Sequence, residues 1–277
     1  MRIVTHPGRA HKDEILAVAF LLATGRIDQV CRREPTQEDL EDPNTYVIDV
    51  GGRHEPALLN FDHHQLPRDA APCCALTLVL EHLGWQDAAR SVLQWFDQVE
   101  LLDSKGPRVA AEALGMTADN FAKILDPIGS AVCRWFGDAT LLQRGDFLFE
   151  LLERLGRDYT SYLQKVTERL GELSERAVIV QVAGCTVIDV TAIDRDDDPL
   201  LGLEMWVRQR TPQSIATVSQ ATRGNGVTLY RRTGAEARLD FGRIKGQPGV
   251  EFVHASGFLA QIAPGADWIP LMRAAVV

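Results

Sequence analysis

Arg2-Ile3-Val4-Thr5-His6-Pro7-Gly8-Arg9-Ala10-His11-Lys12-Asp13-Glu14-Ile15-Leu16-Ala17-Val18-Ala19-Phe20 is the stretch on which the fold turns. Arg2 to Thr5 is short and mostly β-branched, which predicts a buried strand, and Pro7-Gly8 marks a turn after it. From Asp13 to Thr24 the apolar residues Ile15, Leu16, Ala19, Phe20 and Ala23 recur at helical spacing. Strand, loop and helix follow one another within 24 residues, the repeating unit of an α/β sheet.

Further strands are predicted at residues 27–32, 46–50 (ending at Gly51-Gly52) and 58–62. Strands that alternate with helices predict a parallel sheet, whose sites lie beyond the carboxyl ends of its strands. From Cys73 to about Ser174 the pattern turns helical, over 75–83, 87–102, 121–136, 139–155 and 159–173, enough to cover both faces. After Ser174 it turns again, with strands expected at 177–182, 185–190, 203–208, 215–219 and 227–231 and a hairpin signal at Asn225-Gly226. The expected architecture is a parallel-sheet α/β domain with flanking helices over residues 1–170, and a smaller β-rich α+β domain over 171–277.

Composition narrows the function. The 277 residues are 45% hydrophobic and 24% charged, which suits a globular chain and excludes disorder as its main state. No run of about 18 apolar residues is present to span a bilayer. The first residues lack the pattern of a secretory signal and five Cys is an odd number, so a cytoplasmic location is expected. A formal net charge of -9 excludes a protein that coats nucleic acid through a generally basic surface. Residues 1–170 carry 18 basic against 26 acidic residues, so most of the acidity lies there. Arg208, Arg210, Arg223, Arg231, Arg232, Arg238, Arg243 and Lys245 stand against only Glu236 and Asp240 between 208 and 245. That stretch could be a solvated sheet face. It could equally face the first domain across a cleft and hold a phosphate chain, with Arg as a planar phosphate ligand.

The chemistry gathers at predicted strand ends. His6, His11 and Asp13 follow the first strand, Asp49 closes the strand at 46–50, and Asp62, His63 and His64 close the strand at 58–62. A parallel sheet brings such ends to one edge, and mixed imidazole and carboxylate donors suit Mn, Zn, Fe or Co, with a carboxylate able to bridge two ions. Without Cys in the cluster, a thiolate-type structural zinc site is not expected. Taken singly, His6 or His11 reads as a loop histidine bonded to backbone, and Asp49 before Gly51-Gly52 as the start of a turn; the set together points to metal.

The motifs Thr5 to Glu14, Val47-Ile48-Asp49-Val50-Gly51-Gly52, Phe61-Asp62-His63-His64-Gln65, Leu102-Asp103 and Phe252-Val253-His254-Ala255-Ser256-Gly257-Phe258 occur in this order along nearly the whole chain. In that order they resemble the melanocyte-proliferating-gene (Myg-type) exonuclease family, itself similar to the DHH phosphoesterases. The resemblance implies a DHH-like catalytic first domain and a substrate-binding second domain. It implies that His6 and His11 bind one divalent ion, that Asp13, His63 and Asp103 bind another, and that Asp49 bridges them. Two ions are implied, with Mn foremost and Mg, Zn, Fe or Co as alternatives. His64 would contact the phosphate or the leaving oxygen, and Asp62 would orient its neighbours. An activated water would then attack phosphorus in line, with no side-chain nucleophile. His254, Ser256 and Gly257 would bind the substrate terminus; apart from the resemblance, Arg243 and Lys245 of the basic stretch are candidate substrate-binding cations.

The expected function is a metal-dependent phosphodiesterase, a 3′-to-5′ exonuclease on RNA or short oligonucleotides. A small-molecule phosphoesterase or pyrophosphatase, and a non-catalytic nucleotide-binding regulator, are the alternatives. Expected partners are oligonucleotide ends or a small phosphorylated substrate, no membrane, and a second copy of the chain as a possible homo-oligomer. Phe61, Phe258 and Trp206 are candidates for stacking on a base. The chain departs from the family pattern at Arg9, Lys12 and Ser104 and in a shorter segment from Leu66 to Cys73. Other residues invite blander readings. Cys73 and Cys74 read as inert thiols, His82 as a satisfied helical histidine, and the acidic loop from Asp194 to Asp198 as solvated rather than calcium-binding, since it lacks the sixth-position Gly and twelfth-position acid.

Overall fold

A computed structural model describes residues 1–124, 126–193, 201–222 and 224–277. It divides into two compact units, Met1–Gln164 and Lys165–Val277.

The first unit runs β1 (Arg2–Thr5), α1 (Lys12–Ala23), β2 (Gln29–Arg32), α2 (Gln37–Glu41), β3 (Thr45–Ile48) and β4 (His54–Glu55). A 3-10 turn (Pro56–Leu58) leads to β5 (Asn60–Phe61), α3 (Ala75–His82), α4 (Gln86–Val92), α5 (Phe96–Lys105), α6 (Pro107–Ala113) and α7 (Ala118–Lys123). It continues through α8 (Pro127–Asp138) and β6 (Leu141–Gln143) into α9 (Phe147–Arg176), within which the second unit begins. The sheet order is β4-β5-β3-β1-β2-β6. Its inner four strands are parallel, and β4 and β6 close the edges antiparallel.

Register explains where the site lies. Thr5 pairs with Ile48, and Ile48 with Phe61, so His6, Asp49 and Asp62 leave the sheet from adjacent parallel strands at one edge. Ile3, Val4, Val30, Val47 and Ile48 are fully buried, as are Ala17, Val18 and Leu21 of α1. Burial on all sides of α1 fits its near-uniform apolarity, as expected of a helix enclosed by its neighbours. At Gly156 a Cβ would fall 1.9 Å from the Ala19 carbonyl oxygen, so only glycine lets α9 approach α1 this closely.

Several element boundaries differ from those the periodicity predicts. The helix expected at 87–102 is two, because Leu93 is extended, with φ -88° and ψ 95°, while buried Leu93 and Phe96 carry the apolar pattern through the corner. The one expected at 121–136 breaks at Asp126-Pro127, where the Asp126 carboxylate accepts from the Ile128 and Gly129 N–H groups and caps a new helix. Residues 141–143, expected to be helical, form edge strand β6, and the helices expected at 139–155 and 159–173 merge into α9. The strand expected at 58–62 is only Asn60–Phe61, since Leu59 is left-handed with φ 59°.

The second unit carries β7 (Val178–Val182), β8 (Cys185–Asp189), α10 (Leu203–Arg210), β9 (Ala216–Gln220), β10 (Val227–Arg231), a 3-10 turn (Phe241–Ile244), β11 (Val250–Val253), β12 (Leu259–Ile262) and α11 (Trp268–Ala275). Its sheet order is β11-β12-β10-β9-β8-β7, with β8 and β9 the parallel pair. Residues 203–208 are helical rather than a strand. Leu203, Trp206 and Val207 bury at i, i+3 and i+4, and Glu204 pairs with Arg208 across one turn. The Asn225-Gly226 signal does join antiparallel strands, β9 and β10. The loop from Asp194 to Asp198 and Arg223 lie outside the described residues. Among the described residues no helix is long and apolar enough to cross a membrane.

Candidate metal centre

The site is assembled from the ends of parallel strands and the start of one helix. His6 follows β1, Asp49 follows β3, and Asp62, His63 and His64 follow β5. His11 caps α1, and Asp13 sits in that helix's first turn, where the N-terminal dipole favours a carboxylate. Asp103 comes from the last turn of α5. Asp49 has φ 59°, in the left-handed region, and Gly51 and Gly52 continue with φ 97° and 65°. A non-glycine residue held there costs of order 1–3 kcal/mol, a strain that concentrates at functional sites.

Donor atoms form three overlapping groups that share Asp49. His6, His11 and Asp49 bring one donor each to within 4.8 Å of one another, and so do Asp13, Asp49, His63 and Asp103. A third overlapping group is Asp49, His63 and His64. His63 Nε2 lies 3.2 Å from Asp49 Oδ1 and 3.0 Å from Asp103 Oδ2, and His6 Nε2 lies 3.5 Å from Asp49 Oδ2. Asp13 Oδ1, Asp49 Oδ1 and His63 Nε2 are buried with no hydrogen-bond partner. Orphaned buried donors and acceptors of this kind are rare and costly, and an ion bound among them would satisfy all three at once.

The electrostatics fit a cation. Burial drives Asp13 well above the usual carboxylate range, and the charges of Asp49 and Asp103 push it further. The carboxylates of Asp49 and Glu14 raise His6 to about 11. Burial opposes protonation of His63, but Asp103 and Asp49 override it and raise the imidazole to about 10. Asp103 likewise raises His11. Protons thus hold the place that divalent charge would take, and metal uptake must release them.

The hydrogen bonds assign the ring nitrogens. His6 Nδ1 lies 3.0 Å from the Pro7 carbonyl oxygen, an acceptor only, so Nδ1 carries the proton and Nε2 turns to the cluster. His64 Nδ1 lies 2.7 Å from Asp62 Oδ1, and Asp62 Oδ2 accepts from the Gly52 N–H. A pocket of about 340 Å³ opens here, lined by His6, His11, Asp49, Val50, Gly51, Asp62 and His64.

Two residues at this site go unread in the sequence. Glu14, fully buried, sets Oε2 3.2 Å from His6 Nε2, and Arg32, also buried, sets Nη2 3.4 Å from Glu14 Oε1. Glu14, following Asp13 in the opening stretch, was the available signal; Arg32 looks like any strand-end cation. Phe61 is fully buried and Trp206 nearly so, which removes both as base-stacking surfaces. Burial raises the Cys73 thiol to about 11 and that of Cys74 well above its usual range, so neither is an activated nucleophile. His82 packs its ring 4.9 Å from that of Phe61, away from the cluster.

The second-unit candidates gather around one turn. His254, Ser256 and Gly257 lie between β11 and β12, and the Gly257 carbonyl accepts from the N–H of Phe241, which opens the 3-10 turn carrying Arg243. A Cβ on Gly257 would fall 1.9 Å from Asp240 Oδ1, so that contact requires glycine. His254 Nδ1 accepts the Ser256 N–H, leaving Nε2 as the donor of a neutral ring, and the ring centroid lies 4.3 Å from that of Phe258. Arg243 and Lys245 are exposed. Their basic neighbours are committed elsewhere: Arg232 and Arg208 to Glu204, Arg231 to the Leu239 and Ser256 carbonyls, and Arg238 to Cys185 Sγ.

Fold and site together define an α/β protein with a candidate metal centre at the edge of its parallel sheet. Residues 2–83, which hold every candidate ligand except Asp103, match the MYG1 exonuclease family (MYG1_exonuc, described as an uncharacterised protein family, UPF0160). Over 84 residues the chain is 34% identical to the MYG1 protein of Chlamydia muridarum (strain MoPn / Nigg), a match covering 29% of this chain and 28% of that protein. The match thus spans little more than a quarter of the curated relative. Among solved structures, a pGpG-specific phosphodiesterase, PggH, from Vibrio cholerae is 18% identical, with 95% of this chain and 92% of that chain covered and a TM-score of 0.29. RecJ from Thermus thermophilus, solved in complex with Mn2+, is 15% identical, with 99% and 51% covered and a TM-score of 0.25.

Proposed function

We propose that this chain is a metal-dependent phosphodiesterase that trims RNA or short oligonucleotides from the 3′ end. The observation that carries the reading is the pair of donor groups sharing Asp49, with buried Asp13 Oδ1, Asp49 Oδ1 and His63 Nε2 left without partners. His6, His11 and Asp49 would hold one ion, and Asp13, His63, Asp103 and Asp49 the other. The first set is richer in imidazole and the second in carboxylate, and Mn suits both. The MYG1 exonuclease match over residues 2–83 spans all of these residues except Asp103. Held by these residues, divalent ions would supply the positive charge that an in-line displacement at phosphorus needs.

The chain's own residues do the rest. Asp62 fixes the His64 ring through Nδ1, so that Nε2 would face a bound phosphate and, from the doubly protonated ring, could pass its proton to the leaving oxygen and leave His64 neutral. The Gly52 N–H and the Gln65 side chain hold Asp62 in place. A pocket of about 340 Å³ beside His64 is room of the order of one terminal nucleotide. We assign Arg243, Lys245, His254, Ser256 and Gly257 to substrate binding, with His254 Nε2 donating to a phosphate oxygen or hydroxyl. Phe258, half-buried beside His254, is the remaining surface for a base to stack on.

The same cluster and small pocket would also serve a small phosphoanhydride or phosphoester. Mn-loaded protein given a 5′-labelled RNA oligonucleotide, pyrophosphate and a cyclic dinucleotide in parallel separates the readings. A ladder of shortened, label-retaining RNA is expected. Phosphate release from pyrophosphate alone would replace the exonuclease with a pyrophosphatase. Silence on all three from protein that holds its metal would leave a nucleotide-binding regulator.

A further inference from the structure

We propose that Glu14 and Arg32 form a buried positioning pair that sets the affinity of the His6–His11 ion while leaving the ion held by Asp13, His63 and Asp103 unaffected. The inference rests on the two-ion reading of the centre.

His6 and His11 sit on a loop between β1 and α1, and a loop alone holds two imidazoles in register poorly. Here it is tied at three points. At its start, His6 Nε2 faces Glu14 Oε2 at 3.2 Å. At its end, the His11 N–H donates to the same oxygen at 3.4 Å. In its middle, the Gly8 carbonyl accepts from Arg32 Nη1 at 3.0 Å. Arg32 Nη1 also donates to the Phe136 and Gly137 carbonyls, both 2.9 Å away near the C-terminus of α8, the negative end of that helix. Gly137 keeps α8 against the loop, since a Cβ there would meet the Gly8 carbonyl oxygen at 3.3 Å. The remaining Glu14 oxygen, Oε1, accepts from Thr5 Oγ1 and faces Arg32 Nη2. One ion pair therefore connects β1, β2, α1, α8 and the loop.

A buried pair is expensive to assemble, and apolar residues of similar size often stabilise a fold as well or better, so its presence here calls for a use other than stability. Charge supplies one. The His6–His11 group contains two imidazoles, which bring no negative charge, and only a shared carboxylate, whereas the other contains Asp13 and Asp103 outright. Glu14 Oε2 adds a fixed negative charge on the side of His6 Nε2 that would face the ion. It is not grouped with His6, His11 and Asp49 as a donor, so with Nε2 given to the ion it acts by its field and by holding the loop through the His11 N–H, while the Pro7 carbonyl takes the other ring N–H of His6.

Full-length protein stripped of metal and titrated with Mn2+ in a calorimeter tests this, using wild type, Glu14→Gln, Arg32→Lys and His11→Ala. Wild type should take up two ions. Glu14→Gln, isosteric and still able to accept from Thr5, should weaken one of them by about 10- to 100-fold and leave the other within about twofold. Arg32→Lys, which cannot reproduce the fan of donors, should weaken the same ion. His11→Ala should abolish that ion, and adding Glu14→Gln to it should change nothing further. If Glu14→Gln binds both ions as wild type does, or loses both equally, the proposal is overturned, whatever its melting temperature. Two ions bound by wild type without hydrolysis would overturn the enzymatic reading and leave this one standing. No uptake by wild type would overturn both.

Discussion

His63 Nε2 stands 3.2 Å from Asp49 Oδ1, both atoms are buried, and neither has a hydrogen-bond partner. Two groups that could bond each other point instead past one another, which is the geometry of donors aimed at a third body. Asp49 belongs to every donor group of the centre. Asp49→Asn should therefore weaken both ions, where His11→Ala weakens one, and should lower kcat/KM by more than about 1000-fold, the scale on which losing a bridging charge stabiliser operates. Calorimetric stoichiometry beside steady-state rates checks this; an Asp49→Asn protein that still binds two ions tightly would contradict it.

Protonation gives a second outcome. His6 is raised to about 11 and His63 to about 10 in the metal-free protein, against an ordinary value near 6.5. Groups raised in the folded state contribute stability that is fully present below about pH 6.5 and is lost as pH climbs through 10 to 11. In a chelator, the advantage of wild type over His63→Ala should shrink across that interval. Metal competes with the same protons, so Mn2+ affinity should rise with pH from 6 to 9 and uptake should release protons into a weak buffer. Affinity that does not change with pH would contradict the assignment.

His64 and Asp62 predict a different signature. Asp62 touches His64 and the Gly52 N–H but belongs to no donor group. Asp62→Asn should lower kcat by about 10- to 100-fold, in the range of a lost general acid, with Mn2+ affinity unchanged. Loss of an ion in that variant would make Asp62 a ligand instead.

Much of this site was legible because each residue follows a strand, and parallel strands end on one edge. The opening strand, β1, has the predicted bounds, and the β3 strand falls within one residue of its expected start. Helix ends were less legible. Periodicity runs across the corner at Leu93, and the break at Pro127 is set by the Asp126 cap, which local composition shows more clearly than hydrophobic spacing does. Residues 203–208 fit strand and helix alike by composition, and their burial at i, i+3 and i+4 is visible only once packed. The role of Glu14 and Arg32 is not legible in the sequence because it depends on the register Thr5 to Arg32 between β1 and β2, a long-range fact. Phe61 drew attention for its place in a motif, yet its ring is core.

Arg243 and Lys245 test the substrate-binding assignment. Both are exposed, and no described ion pair involves either. Reversing both charges, Arg243→Glu with Lys245→Glu, should raise KM for an RNA oligonucleotide by about tenfold or more, through lost phosphate contacts, and leave KM for bis(p-nitrophenyl) phosphate within about twofold. Equal effects on both substrates would contradict it.

Stability away from the site rests partly on Asp39. Its buried carboxylate receives Arg33 at 2.6 Å and Arg2 at 3.1 Å and caps the short helix α2 through Thr36, and Arg33 holds it well below the usual carboxylate range. Arg33 is 42% exposed, which reduces what the pair is worth. Asp39→Asn should cost about 2 kcal/mol at pH 7, a broken buried pair discounted for that exposure. A group depressed on folding stabilises above its unfolded value and loses that as pH falls, so the difference should fade below about pH 4. Urea melts at pH 7 and pH 3 measure it; equal differences at both would contradict the charge argument.

Hydrolysis of phosphodiesters by the Asp49-centred cluster with bound metal is open to direct measurement. Its most direct test is the cleavage of a 5′-labelled RNA oligonucleotide by metal-stripped protein reloaded with Mn2+, beside His63→Ala, Asp49→Ala protein treated identically. Label-retaining products should shorten stepwise in the wild-type reaction, need added metal, and be missing from the double variant. Intact RNA in the presence of wild-type protein that holds two ions, or equal cleavage by the double variant, would contradict it.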